Sequence, residues 1–461
     1  MNFDWKLLEE LIQERMRKTR LPGVSLALIE GEEAVYARGY GFRDVEKALP
    51  ATPHTFYGIG SVTKSFTALA VLKLEEAGAL NLEDPVHRFL DLRLHPFGEP
   101  VRVHHLLTHT SGLPALAYAE ALIRYAQGTS GQFLPLSSVD DFLAWLNGAE
   151  DWVETRPGER WFYLNEGYIL LGGIVEKLTG KPFREYVREE ILKPLGMEKS
   201  FFLGEEPTPG VEWATPYVIP SQATPRPGKA MPIPIGSDGG LVSSVSELTK
   251  YLALFLRQGE PLIRRASYKQ MIQPRVPLPH KPHPSFFGDL VIPLYAYGLM
   301  VQPFLGYSLV GHGGSVLVYT AYLGFVPERG LGVAVLANGS GYPMGQIAQV
   351  ALALALGEDP AKLPFVRWEK LLDSVCGIYS TYRGGMRMSV RPKGGALEAV
   401  QEDREAPLSY ILTLEEIAPN RVGCLAHLGD RRLPVEFRTL GKEVELVFER
   451  YKLRREAPLV G

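Results

Sequence analysis

Leu8, Leu11, Ile12 and Met16 recur at the i, i+3, i+4, i+8 spacing of one helical face, so the chain opens on an amphipathic helix that Leu21-Pro22-Gly23 brings to an end. Val24, Leu26 and Leu28 then alternate with small or polar residues. A turn at Gly31 leads into a second alternating run through Gly41, which predicts a β-hairpin. From Ser61 the period becomes helical again, with Phe66, Leu69, Ala70 and Leu74 as its apolar positions and Gly78 near its end. Residues 115–200 read as several helices with Gly and Pro breaks, among them Tyr168–Leu178, stopped by Gly180. Residues 203–236 and 274–296 are Pro-rich, polar and irregular, long enough to be binding loops. Val316–Val326 and Gly330–Ala337 predict a strand pair around Pro327–Gly330, followed by a helix over Met344–Leu356.

Gly357–Pro364 reads as a linker, and beyond it the helical period is lost. Val444, Leu446 and Phe448 alternate with Glu443, Glu445 and Val447, and turn residues recur at short spacing. A separate all-β module of about 95 residues, a small barrel or sandwich, is expected there.

Composition narrows the function. The 461 residues carry a formal net charge of −3, without the basic excess that nucleic-acid binding needs. No run of 18 apolar residues exists, so no membrane-spanning helix is expected. The charged N-terminal segment lacks the apolar core of an export signal, from which a cytoplasmic location is expected. Cys376 and Cys424, the two cysteines, cannot build a Cys-rich metal site; they are expected buried and reduced, with a mutual disulfide as the alternative. Six Asn against 36 Pro suggest a heat-adapted source.

The chemistry starts at Gly58-Ile59-Gly60-Ser61-Val62-Thr63-Lys64-Ser65. A phosphate-binding loop would need Gly at 63, and a hydrolase nucleophile elbow would need Gly at 59 and 63; Ile59 and Thr63 exclude both. What remains is Ser-x-x-Lys at a helix start. Residues i and i+3 share a face, which sets the Lys64 amine beside the Ser61 hydroxyl. The positive end of the helix dipole and partial burial disfavour a charged amine, so Lys64 becomes a candidate base for Ser61. Alone, the pattern is common and also fits an ordinary solvated helix start. Tyr163-Leu164-Asn165 precedes the helix expected near Tyr168 and, if extended, projects a phenol and an amide to one side. His312-Gly313-Gly314-Ser315 feeds a strand whose glycines permit close approach. The backbone N–H groups of Ser61 and Ser315 are candidates for an oxyanion hole. His105 and His109 sit four apart, but Leu106 stands where a zinc protease needs Glu, so metal binding is not expected.

Taken in order, S-V-T-K at 61–64, Y-L-N at 163–165 and H-G-G at 312–314 resemble the three motifs of the serine β-lactamase and penicillin-binding-protein superfamily. The stretches H-L-L-T-H-T-S-G-L-P at 105–114, G-Y-I-L-L-G-G-I-V-E-K-L-T-G at 167–180 and D-G-G-L-V-S-S-V-S-E-L at 238–248 are similar to its class C β-lactamase-like branch, which includes D-aminopeptidases and esterases. The resemblance implies an α+β transpeptidase-like domain, here residues 1–360, with an antiparallel sheet flanked by helices and a helical insert over roughly 80–200. It likens residues 365–461 to the lipocalin-like barrels attached to some of these peptidases, which could close the cleft or mediate homo-oligomerisation.

It also implies that Ser61 is acylated, with Lys64 as base and Tyr163 assisting the leaving group. Which of the two is the true base stays open. Asn165 would orient the acyl side, and His312, Gly314 and Ser315 would line the substrate site. The family's Lys-Thr-Gly is here His312-Gly313-Gly314, so the fixed charge for a substrate carboxylate is weakened. The expectation is therefore a cofactor-free, metal-free serine hydrolase on small amides, D-amino-acid peptides or esters. The alternatives are a β-lactamase or D-alanyl-D-alanine carboxypeptidase, and a catalytically idle peptide-binding or scaffold protein.

Overall fold

The computed structural model describes residues 5–127, 134, 136–220, 224–229, 236–279, 292–341, 343–402, 407–441 and 443–458. They fall into two compact units, which divide near residue 358.

In the first unit the opening helix spans Trp5–Thr19 and buries Leu8 and Ile12. The predicted hairpin forms as Gly23–Glu30 and Glu33–Asp44. Its first strand pairs antiparallel with Leu331–Ala337, in the register Val24 to Ala337. From there the sheet continues through Thr320–Val326, Tyr307–Ser315 and Met300–Phe304 to short edge strands, nine antiparallel strands among the described residues. All seven residues of Leu331–Ala337 are buried, because helices cover both faces of the sheet. Helix Val245–Leu256 lies on one face, where Phe255 stacks on Phe325 with ring centroids 4.7 Å apart. Helix Met344–Ala355 lies on the other, where Gly345 fits against Tyr322.

Two strand readings shift. Residues 316–319 form a turn, with the Val316 N–H donating to the Tyr319 carbonyl and Leu317 at φ +64°, so the strand begins at Thr320. The His-Gly-Gly segment does not feed a strand; it is part of the strand Tyr307–Ser315, paired on both sides.

The serine helix, Thr63–Glu76, runs through the interior, and eleven of its fourteen residues are buried. Phe66 stacks on Tyr251 at 3.7 Å on one side. The helical region containing Val103–Leu107, Val139–Asn147 and Asn165–Thr179 packs into the same apolar core. No helix among the described residues is long and apolar enough to cross a membrane.

The second unit corrects the expectation that helical periodicity ends at the linker. Helix Pro364–Val375 follows it, burying Leu372 and Val375 into the module's core. Trp368, Leu371, Leu372 and Val375 carry the i, i+3, i+4, i+7 signal. Eight antiparallel strands then close into a barrel, the first (Gly377–Ser380) pairing with the last (Tyr451–Ala457). Closure leaves no open edge. Val390, Leu397, Leu412, Ala426, Phe437, Leu446 and Leu453 are buried, so the barrel has a packed apolar core. Cys376 and Cys424 are both free and buried.

Candidate active site

Strand Thr55–Gly58 delivers the chain into a tight turn, Gly60–Val62, that precedes the serine helix. Gly60 has φ +52°, and a Cβ there would lie 2.6 Å from the Ser315 backbone nitrogen. A Cβ on Gly314 would come within 1.9 Å of the Ile59 carbonyl oxygen and 3.1 Å of the Ser61 nitrogen. Only glycine at both places lets the strand Tyr307–Ser315 press against the serine turn. The result brings the Gly314–Ser315 backbone against the Gly60–Ser61 turn.

Lys64 is fully buried, and its amine has three partners. Nζ lies 3.2 Å from Ser61 Oγ, 2.8 Å from Asn165 Oδ1 and 2.6 Å from the Asp238 backbone carbonyl oxygen. Those contacts match the three hydrogens of an ammonium. They equally match an amine that donates to Asn165 and Asp238 and turns its lone pair toward Ser61. The Tyr163 ring stands with its centroid 4.8 Å from Nζ. Tyr163 is in a loop, but Asn165 is the first residue of the helix Asn165–Thr179, three positions before the expected start. Leu164 between them is extended (φ −121°, ψ 103°), and the phenol ring and the amide both face Lys64; the Leu164 N–H donates to His109 Nδ1 at 3.0 Å.

That bond sets the sense of a buried chain of donors. With Nδ1 of His109 accepting, Nε2 carries the proton of the neutral ring and donates to the Tyr295 hydroxyl at 3.1 Å. Tyr295 in turn donates to His312 Nε2 at 3.1 Å, and His312 Nδ1 donates to the Gly313 carbonyl oxygen. Burial holds His109 well below the usual imidazole range, and the charge of Lys64 adds to it. Burial likewise pushes His312 down to about 4. His312 is 3% exposed, with both ring nitrogens bonded within the protein, so it carries no fixed positive charge.

A second polar group behind Lys64 was not singled out from the sequence. Asp238 is 5% exposed; its carboxylate accepts a short hydrogen bond from Tyr118, while Oδ1 has no partner among the described residues. Glu166, 1% exposed, likewise has an unpartnered Oε1. Burial first, and then the charge of Asp238, push the Glu166 carboxyl up to about 7. Glu166 was legible in principle, an acid set between Asn165 and the apolar Tyr168–Leu171 run. Ser61, Asn165, Asp238 and Ser315 share a narrow cleft of about 50 Å³ with Tyr118 of the helix Tyr118–Ala126. Among the described residues no group of three or more His, Cys, Asp or Glu could hold a metal ion. His105 instead accepts from the Arg102 N–H at 3.0 Å.

The Beta-lactamase family model matches residues 8–357, and the Pab87 octamerisation domain model matches residues 360–454. The structure of the octameric penicillin-binding protein homologue from Pyrococcus abyssi is similar over 98% of this chain and 100% of that one, with 42% identity and a TM-score of 0.90. Protein flp of Staphylococcus aureus (strain MW2) is 26% identical over 347 residues, 72% of this chain and 62% of flp, so the chain spans under two thirds of that relative. Esterase EstB of Burkholderia gladioli is 34% identical over 237 residues, 50% of this chain and 59% of EstB.

Proposed function

This chain belongs to the β-lactamase family, and from that membership we propose that it is a serine hydrolase which forms an acyl-enzyme at Ser61 and cleaves small amides, D-amino-acid peptides or esters. The observation that carries the reading is the Lys64 amine, held 3.2 Å from Ser61 Oγ while two fixed acceptors take its other hydrogens.

In the form that reacts, Lys64 donates its two hydrogens to Asn165 and the Asp238 carbonyl and turns its lone pair toward Oγ. Lys64 takes the Ser61 proton as Oγ attacks the substrate carbonyl. The carbonyl oxygen enters between the Ser61 and Ser315 N–H groups, which stabilise the charge that develops on it. The C–N or C–O bond then breaks, and the leaving group receives the proton from Lys64, with Tyr163 beside it. Water attacks the Ser61 ester by the same route in reverse and releases the acid. Lys64 and Tyr163 act together on the same proton.

The buried, neutral His312 favours amides and esters over β-lactams, since it offers a substrate carboxylate no permanent cation. The likeness of residues 360–454 to an octamerisation domain, together with the octameric homologue, supports a homo-oligomer held through the C-terminal module. In this reading residues 1–360 are the catalytic domain and 365–461 the assembly module.

Ser61→Ala and Lys64→Ala are each expected to remove nearly all turnover of p-nitrophenyl esters and aminoacyl anilides, about 10³-fold or more. Ser61→Ala is also expected to abolish labelling by a fluorophosphonate. Wild-type turnover in the Ser61→Ala protein would refute the mechanism.

A further inference from the structure

One residue outside the three motifs grips the second of them twice. The His109 backbone carbonyl accepts from the Phe162 N–H at 2.8 Å, and His109 Nδ1 accepts from the Leu164 N–H at 3.0 Å. Those two donors flank Tyr163, and the His109 ring lies against the phenol with centroids 4.3 Å apart. One position past Leu164, Asn165 takes the hydrogen bond from Lys64. Leu164 stands at the N-cap of the helix Asn165–Thr179 and has no polar side chain to cap it, so the ring nitrogen holds the chain where that helix begins. His109 is 1% exposed and keeps a left-handed backbone, φ +59°, that side chains with a Cβ rarely adopt. Such conformations persist where the surroundings enforce them, and they cluster at functional sites.

Resting on the serine-hydrolase reading above, we propose that His109 is a positioning residue for the reaction: by holding the Leu164 N–H, its Nδ1 sets Tyr163 and Asn165 together against Lys64. Nδ1 accepts only in the neutral ring, because an imidazolium donates from both nitrogens. Burial first, and then the charges of Lys64 and His312, keep the ring in that form. Without the acceptor, the Leu164 N–H is stranded in the interior, and the segment has to turn to satisfy it. That turn carries the phenol and the amide away from the amine they serve, and a misplacement of about 1 Å among reacting groups costs about 10²-fold in rate.

The test divides the imidazole between variants. In His109→Asn, Oδ1 takes the place of Nδ1, so the acceptor for Leu164 stays and the donor to Tyr295 is lost. His109→Gln does the reverse, its terminal amide standing where Nε2 stood. His109→Gly accepts the left-handed backbone freely and has neither group, which separates the backbone from the side chain. Two rates are measured on each protein: labelling of Ser61 by a fluorophosphonate, and kcat/KM on p-nitrophenyl acetate, which covers the steps through acylation. Gln and Gly are expected to slow both by about 10²-fold, and Asn, the conservative variant, to recover them to within about fivefold of wild type. All three lose the packing of the ring and melt lower, so a residue that only stabilised the fold would not single out Asn. Wild-type rates in His109→Gly, or an Asn protein as slow as the Gly protein, overturn the proposal. Should Gln not fold, the comparison of Asn with Gly decides alone; an Asn protein that does not fold also counts against the proposal, since it keeps the acceptor and a permitted backbone. A wild type that labels and turns over, with the variants in the wrong order, fails the assignment of His109 alone. A wild type that does neither fails the hydrolase reading as well.

Discussion

Glu166→Gln separates the charge of one buried acid from everything else in the site. In the folded protein the Glu166 carboxyl titrates at about 7, raised from its ordinary 4.5, with burial as the larger cause and Asp238 next among those that raise it. An unfolded chain releases that proton near 4.5, so between the two values the folded state holds more protons than the unfolded one. Stability from this group is therefore full below pH 4.5, falls as pH rises through 7, and levels off above it. At about 1.4 kcal/mol per unit, the loss is about 3 kcal/mol. Glutamine has the same shape and no charge to bury, so the variant lacks this slope. For a folding unit of about 350 residues, with an unfolding entropy of about 2 cal/mol/K per residue, 3 kcal/mol corresponds to about 4 °C. Differential scanning of both proteins from pH 4.5 to 8.5 should show Glu166→Gln gaining about 4 °C on the wild type across the series. Other titrating groups cancel in that difference. A gap between the two proteins that stays constant with pH would refute the burial argument.

Two further outcomes follow from the packing. Gly314→Ala places a Cβ 1.9 Å from the Ile59 carbonyl oxygen, so the strand must move off the serine turn; fluorophosphonate labelling of Ser61 should slow by more than tenfold while circular dichroism stays near wild type, and normal labelling would contradict the close approach. Tyr295→Phe leaves His109 Nε2 and His312 Nε2 without their shared partner, at about 1–3 kcal/mol for each stranded group, so the melting temperature should fall; an unchanged value would show that the chain of donors contributes nothing.

The parts of the site that local geometry governs were legible in the sequence. Ser61 and Lys64 meet because one helical turn separates them, and Gly314 announces a close backbone approach. Parts assembled from distant segments were not. The third acceptor of Lys64 is a backbone carbonyl 174 positions away, which no side-chain pattern encodes. His109, Tyr295 and His312 come from three separate segments, and their order as donors depends on the Leu164 N–H. Asp238 appeared in the sequence only as the first letter of a similar stretch; its buried place beside Tyr118 is one that only three-dimensional packing creates. In the fold, the hairpin, the serine helix and the β-rich tail were readable from periodicity. The helix Pro364–Val375 was hidden by the reading of Gly357–Pro364 as the end of helical structure, although its apolar positions keep the helical interval.

The pairing of Gly23–Glu30 with Leu331–Ala337 bears on how the protein is made. The strand at residues 23–30 waits for a neighbour some 300 residues later, so a ribosome must extend past position 337 before the central sheet can close. Until then the hairpin presents an apolar edge with free N–H and C=O groups, the kind of surface that chaperones cover and that drives nascent chains to aggregate. The barrel pairs strands that follow one another within about 80 residues, and it emerges after the sheet's last partner. Translation order thus puts the slow, long-range closure first and the rapid, local one last.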